Sequence, residues 1–200
     1  MRLSIPPLLL LLKTTTAGVV PEVATSDLSL FTDAIQALPP GVTPDGAQPY
    51  IPTALDLALD TLPANASDDE IVAIFTQHGT NSTAPDGARG RAWVCGTEIP
   101  LWPLRSGPTR PDIHLVADRI VESYGDAICW QTDWRWGKRC NKYWTHNALD
   151  LYLCGVFMTG VKCKTMAWSM RHLAAVCKYG NNQAGGAYIF EEAQCRVHVL

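Results

Sequence analysis

The chain has 200 residues, a net charge of −3 and no apolar run approaching the roughly 20 residues that a bilayer-spanning helix needs, which excludes a transmembrane segment and predicts a soluble mature protein. The small net charge conceals an asymmetry: Gly18 to Val94 carries ten acidic residues against two basic, and Cys95 to Leu200 carries twelve basic against nine acidic. All seven cysteines and all seven tryptophans lie at or beyond Trp93, so charge, sulfur and aromatic content change together and predict a domain boundary near Ala84 to Ala92, where Pro85, Asp86, Gly87 and Gly90 make a turn-rich hinge.

The first residues have the layout of a secretory signal peptide. Arg2 precedes the apolar stretch Leu3 to Leu12, and Ala17 with Thr15 gives a small-x-small cleavage site after residue 17, although Lys13 is off the pattern. Residues 18–91 then form an acidic region. Asp27 to Leu38 is predicted helical, with Leu28, Phe31, Ile35 and Leu38 on one face and Ser26 as its cap. Pro39 to Pro52 holds five prolines and two glycines and reads as an extended linker. Thr53 to Leu62 is again helical and ends at Pro63. Ser67 with Glu70 makes a capping box ahead of Ile71, Ile74 and Phe75, and Gly79 stops that helix. Sequons at Asn65 and Asn81 predict glycosylation of an exported chain. Short helices without disulfides make a thin core, so this region is expected to be a pro-segment or a loosely packed extension.

Residues 92–200 are predicted to form a Cys/Trp-rich domain. Ala92 to Gly96 is strand-like. Asp112 to Tyr124 is a helix, with Pro111 in its first turn, Ile113, Val116, Ile120 and Val121 facing inward, and Gly125 at its end. Asp126 to Thr132 is a strand, and Ala148 to Cys154 is a half-buried strand by its alternation. Thr165 to Tyr179 is a helix with Met166, Met170, Leu173 and Cys177 on one side, stopped by Gly180. Tyr188 to Phe190 and Arg196 to Leu200 close the domain as strands. The predicted class is α+β: a disulfide-stapled split β-α-β-β-α-β sandwich, two helices on an antiparallel sheet, preceded by a short helical, Pro-rich N-terminal region.

In an exported chain, Cys95, Cys129, Cys140, Cys154, Cys163, Cys177 and Cys195 read as a disulfide framework with six of the seven paired, in a connectivity the spacing does not select. The odd thiol is left over or links two copies into a disulfide-bonded dimer. No CxxC pair or HxxxH spacing suggests a metal, no cofactor is expected, and GxSxG, HExxH and phosphate-loop motifs are absent. The densest chemistry is Trp130, Trp134, Trp136, Tyr143 and Trp144 interleaved with Arg135, Lys138, Arg139 and Lys142. Cations among aromatic faces suit nucleic acid, anionic lipid headgroups or a carbohydrate platform. The competing reading is a hairpin whose tryptophans fill a core while the basic residues meet water. His146, His198 and Glu191, with Arg196 for a phosphate, are the candidates for a ribonuclease-like acid–base set, though their spacing does not require proximity. Lys138-Arg139 is a dibasic processing site and Arg89-Gly90-Arg91 a weaker one at the hinge. Cutting there would release an acidic leader that screens the basic stretch.

The segments Asn147 to Gly155, Met166 to Cys177 and Gly185-Gly186 to Val199 resemble the layout of small cysteine-rich proteins secreted by filamentous fungi: a strand ending in cysteine, a helix ending in cysteine, a Gly-Gly turn and a final strand. The alternating helices and strands are also similar to the α/β sandwich of smut-fungus killer toxins and related plant-pathogen effectors. That resemblance, over roughly Val94 to Leu200, implies an extracellular virulence or toxin role with no active-site residues to carry over. The function read from the sequence is therefore a secreted effector or toxin that binds a protein, membrane or wall component of a host or competitor cell. A small secreted ribonuclease-like hydrolase, with nucleic acid as its partner, and a cell-wall carbohydrate-binding protein are the alternatives.

Overall fold

The computed structural model describes residues 37–39, 41–78, 93–96, 107–133, 139–180, 182–190 and 193–200. The signal peptide, the hinge, the sequon at Asn81 and most of the helix expected over Asp27 to Leu38 lie outside them. The last two residues of that expected helix form a strand, β1 (Ala37–Leu38). There follow α1 (Ala54–Asp60), α2 (Asp68–His78), β2 (Trp93–Cys95), α3 (Arg110–Tyr124), β3 (Ile128–Gln131), β4 (Cys140–His146) and β5 (Leu149–Gly155). The chain continues through β6 (Thr159–Lys162), α4 (Cys163–Val176), the two-residue strands β7 (Lys178–Tyr179) and β8 (Gln183–Ala184), then β9 (Gly186–Phe190) and β10 (Cys195–Val199).

Local chemistry sets the helix starts. The Thr53 hydroxyl accepts the Asp56 N–H at 3.1 Å while the Asp56 carboxylate accepts the Thr53 N–H at 2.8 Å, a reciprocal box that opens α1. Ser67 and Glu70 repeat it before α2, with the Ser67 N–H donating to Glu70 at 2.7 Å and the Glu70 N–H to Ser67 at 3.3 Å. Thr109 caps α3, Pro111 sits in its first turn and Gly125 ends it.

The fold is α+β with antiparallel sheets, but the strands do not gather into the single sheet of a split sandwich. Five of them form one sheet in the order β2-β9-β10-β5-β4, β3 instead joins β1 and β6 in a second, and β7 and β8 make a small hairpin. A tight turn at Asn147-Ala148 folds β4 back onto β5 at the edge of the large sheet, and β3 pairs with β6 (Ile128 opposite Lys162, Gln131 opposite Thr159).

Alternation along the large sheet turns Leu149, Leu151 and Leu153 of β5, Val197 and Val199 of β10, and Tyr188 of β9 into the core. Against them lies α4. The sequence predicted one apolar side for this helix, yet Thr165 to Ala174 is buried without interruption. The helix runs through the centre, with α2 and α3 packed on it as well as strands of both sheets.

Residues 37–78 are not the loosely packed extension expected of them. Leu59, Ile71 and Phe75 are wholly buried in the same core as α4, and Ala37 and Leu38 pair with Cys129 and Ile128 of β3. Three disulfides, Cys95–Cys177, Cys129–Cys163 and Cys140–Cys154, staple the C-terminal half, and Cys195 is free. No helix among the described residues is long and apolar enough to cross a membrane.

Candidate binding site at one end of the sheet

Three segments converge where β4 begins, β5 ends and β10 begins. The Gly155 N–H donates to the Arg139 carbonyl at 2.9 Å, and the Val156 N–H donates to the Gln194 carbonyl at 3.2 Å. Cys195 lies opposite Gly155 and Arg196 opposite Cys154, which is bridged across the sheet to Cys140. Gly155 has φ 150°, and a Cβ there would meet the Gln194 carbonyl oxygen at 2.5 Å and the Cys195 Cα at 2.6 Å, so only glycine lets the strands come this close.

The result is an open cleft of about 580 Å³ lined by the bridged Cys140 and Cys154 together with Arg139, Val156, Ile189, Gln194 and Arg196. Arg139 and Arg196 are exposed, and neither forms an ion pair among the described residues. Val156, which lines the cleft with the two arginines, and the adjacent Phe157 are 42 % and 43 % exposed. The arrangement offers two positive charges and a hydrophobic edge beside a disulfide crosslink, which suits an anionic group carried on a larger partner.

Compared with known proteins, the chain matches no family model, no curated protein and no solved structure.

The residues singled out in the sequence fall in different places. Trp130 and Trp144 are buried, and the buried Tyr143 hydroxyl donates to the Trp130 carbonyl at 2.6 Å. The burial of these three leaves none of their rings exposed as a stacking face. Trp134, Arg135, Trp136 and Lys138 lie outside the described residues. Asp133 and Arg139, which flank them, are described, and Asp133 is held by its N–H donating to Asn141 at 2.8 Å. Lys142 reaches the surface but is occupied: its ammonium lies 2.7 Å from Asp150, which also accepts from Thr145 at 2.8 Å and Tyr152 at 3.3 Å. The hydrogen bond to Asp150 holds the Lys142 pKa above its ordinary value. Burial works against ionisation of Asp150, and the bonds from Lys142 and Thr145 outweigh it and keep its carboxyl below the usual range.

Of the candidate acid–base residues, His146 and His198 lie on strands separated by β5. His146 sits at the tip of β4, 3.5 Å from Asp112 at the start of α3, and Asn147 donates to the same carboxylate oxygen at 2.8 Å. His198 lies on β10 opposite Tyr152, half-buried, with its Nε2 closed off from solvent and without a hydrogen-bond partner. Desolvation, then the charge of Arg196, lowers its pKa to about 4. Glu191 lies outside the described residues. The sequon residue Asn65 is exposed.

Cys195 is the odd thiol that six-of-seven pairing leaves over; it is buried at 4 % exposure, and desolvation pushes its pKa up to about 12. Among the described residues no cluster of histidine, cysteine and carboxylate groups could hold a metal. Sequence reading placed Arg196 only in the phosphate-binding set and passed over Val156 and Phe157. The signal available was the alternation of Arg196 and His198 with Val197 and Val199, which sends the first two to the outer face.

Proposed function

We propose that the protein is a secreted effector or toxin that acts by binding, and that the cleft at the end of the sheet engages an anionic group on a protein, membrane or wall component of a host or competitor cell. The observation that carries this reading is the pair of exposed guanidiniums, Arg139 and Arg196, which form no ion pair among the described residues and line the same cleft as the Cys140–Cys154 bridge. Rigid backbone placement reduces the ordering cost of binding, and exposed cations steer an anionic partner from a distance. Three disulfides favour an oxidising compartment such as the extracellular space.

The hydrolase alternative draws little support, because His146 is tied to Asp112 and the Nε2 of His198 is closed off. The wall-binding alternative loses Trp130 and Trp144 as stacking surfaces.

The test is binding of labelled protein to candidate target cells across a salt series. Arg139→Ala with Arg196→Ala is expected to weaken binding on the order of tenfold and to flatten its salt dependence. Binding that ignores both substitutions and salt would remove this cleft from the function.

A further inference from the structure

The charge asymmetry of the sequence is resolved inside the fold. Carboxylates of the acidic segment meet cations and hydroxyls on α4 and the residue leading into it. Asp60 at the end of α1 takes the Lys162 ammonium at 2.8 and 2.7 Å, with Lys164 4.0 Å away. Asp56 accepts from Thr165 and Tyr50. Asp68, first residue of α2, accepts from Nε and Nη2 of Arg171 at 3.1 and 3.0 Å, and Arg110 and His114 of α3 lie 3.7 and 3.3 Å from its other oxygen. Arg171 also donates to the Ala66 carbonyl at 2.8 Å. Among the described residues, none of these acids pairs with Arg139 or Lys142 of the Trp130 to Trp144 stretch that an acidic leader was expected to screen.

No covalent bond reinforces this contact. Every cysteine lies at or beyond Cys95, so only the backbone between His78 and Trp93 joins the two parts. We infer that Lys162, just before α4, together with Thr165 and Arg171 on it, forms a recognition surface for the chain's own acidic helices, and that a protein cut between His78 and Trp93 persists as a non-covalent two-chain assembly instead of shedding its acidic part. Ion pairing alone would not hold the pieces, but the burial of Leu59, Ile71 and Phe75 against the same core adds apolar area that water would otherwise meet. A cut at the dibasic site has a different outcome. Cys95–Cys177 and Cys129–Cys163 both span Arg139, so those pieces stay covalently joined.

The experiment uses the full chain with a flexibly flanked recognition sequence for a site-specific protease inserted between His78 and Trp93. Complete cutting is verified by mass under denaturing, non-reducing conditions, where the two pieces must separate. Native gel filtration of the cut protein is expected to give one peak containing both. Asp60→Asn with Asp68→Asn in the cut protein is expected to weaken the association on the order of a hundredfold on serial dilution, because the buried Arg171 loses the Asp68 carboxylate and keeps only the Ala66 carbonyl and the more exposed Asp118, 3.6 Å away. Asp60→Asn alone, at the more exposed pair, gives a smaller loss and serves if the double variant does not fold. Separate native peaks for the cut wild-type pieces would overturn the inference. Association unchanged by either substitution would overturn the role of the carboxylates.

Discussion

The acidic segment 37–78 and the module beyond Trp93 reach a fixed structure by opposite means. The module is crosslinked at three points, one bridge tying β2 to the end of α4, one β3 to its start, and one β4 to β5. The segment has no sulfur and relies on two helix boxes, five buried apolar residues (Leu55, Leu59, Ala66, Ile71 and Phe75) and carboxylates placed against α4. Crosslinks act largely by restricting the unfolded chain, whereas burial and ion pairing act in the folded state and respond to mutation, salt and pH. The two regions should therefore fail under different insults.

The largest separation comes from the core. Phe75→Ala removes a fully buried ring of α2 that packs edge-on against Tyr188, with centroids 4.9 Å apart, and should cost about 3–5 kcal/mol. Leu57→Ala on α1, a residue 59 % exposed, should stay within about 0.5 kcal/mol. Denaturant midpoints measure both, and comparable losses would mean that the segment does not share the core. Removing a bridge should cost somewhat less. Replacing Cys129 and Cys163 by serine opens a loop of 34 residues and should cost about 3–4 kcal/mol in the chain-entropy account, more than the same change at Cys140 and Cys154, whose separation is 14. A reversed order would show that native-state strain or packing, and not loop length, dominates.

Acid should also act where the two regions meet. His172 on α4 is fully buried, neither ring nitrogen has a hydrogen-bond partner, and Phe75, Trp93 and Tyr188 surround it with ring centroids at 5.0, 4.7 and 5.7 Å. Desolvation lowers its pKa to about 4 from the ordinary 6.5. Between those values the unfolded chain binds more protons than the folded one, so stability falls as pH drops from 6.5 towards 4 and levels off below. The shift corresponds to at most about 3 kcal/mol. His172→Phe should flatten that part of the stability–pH curve. A curve of unchanged slope in the variant would place the acid sensitivity elsewhere, with His198 the next group to change.

Sequence patterns revealed the pieces of this fold better than their arrangement. The Ser67–Glu70 box, the Pro111 start and Gly125 end of α3, and the alternation of β5 are contacts between near neighbours, so the residues themselves announce them. The strand β4 was hidden because its register shifts between Lys142 and Trp144, which buries the adjacent Tyr143 and Trp144 together and erases the period of two. Arg171 and His172 made α4 look one-sided. Their burial depends on Asp68 and Phe75, about a hundred residues earlier, and no local pattern carries that information. The cleft has the same origin: Arg139 and Arg196 meet only through the pairing of β4, β5 and β10.

The smallest predicted effect tests whether that cleft, and not basic charge in general, makes the module a binding surface. Lys142 belongs to the same basic stretch as Arg139, yet its ammonium is spent on Asp150, with both side chains about a third exposed. Exposed pairs of this kind contribute roughly 0.2–1 kcal/mol, so Lys142→Ala should lower stability by less than about 1 kcal/mol. It should leave target binding nearly unchanged, because Lys142 is held on Asp150 and does not line the cleft, even though the net charge falls by one. Arg139→Ala, which removes the same formal charge a few residues away, should weaken binding measurably. Equal losses from the two substitutions would mean that the partner reads the overall charge of the strand, and the geometry around the Cys140–Cys154 bridge would then carry no specificity.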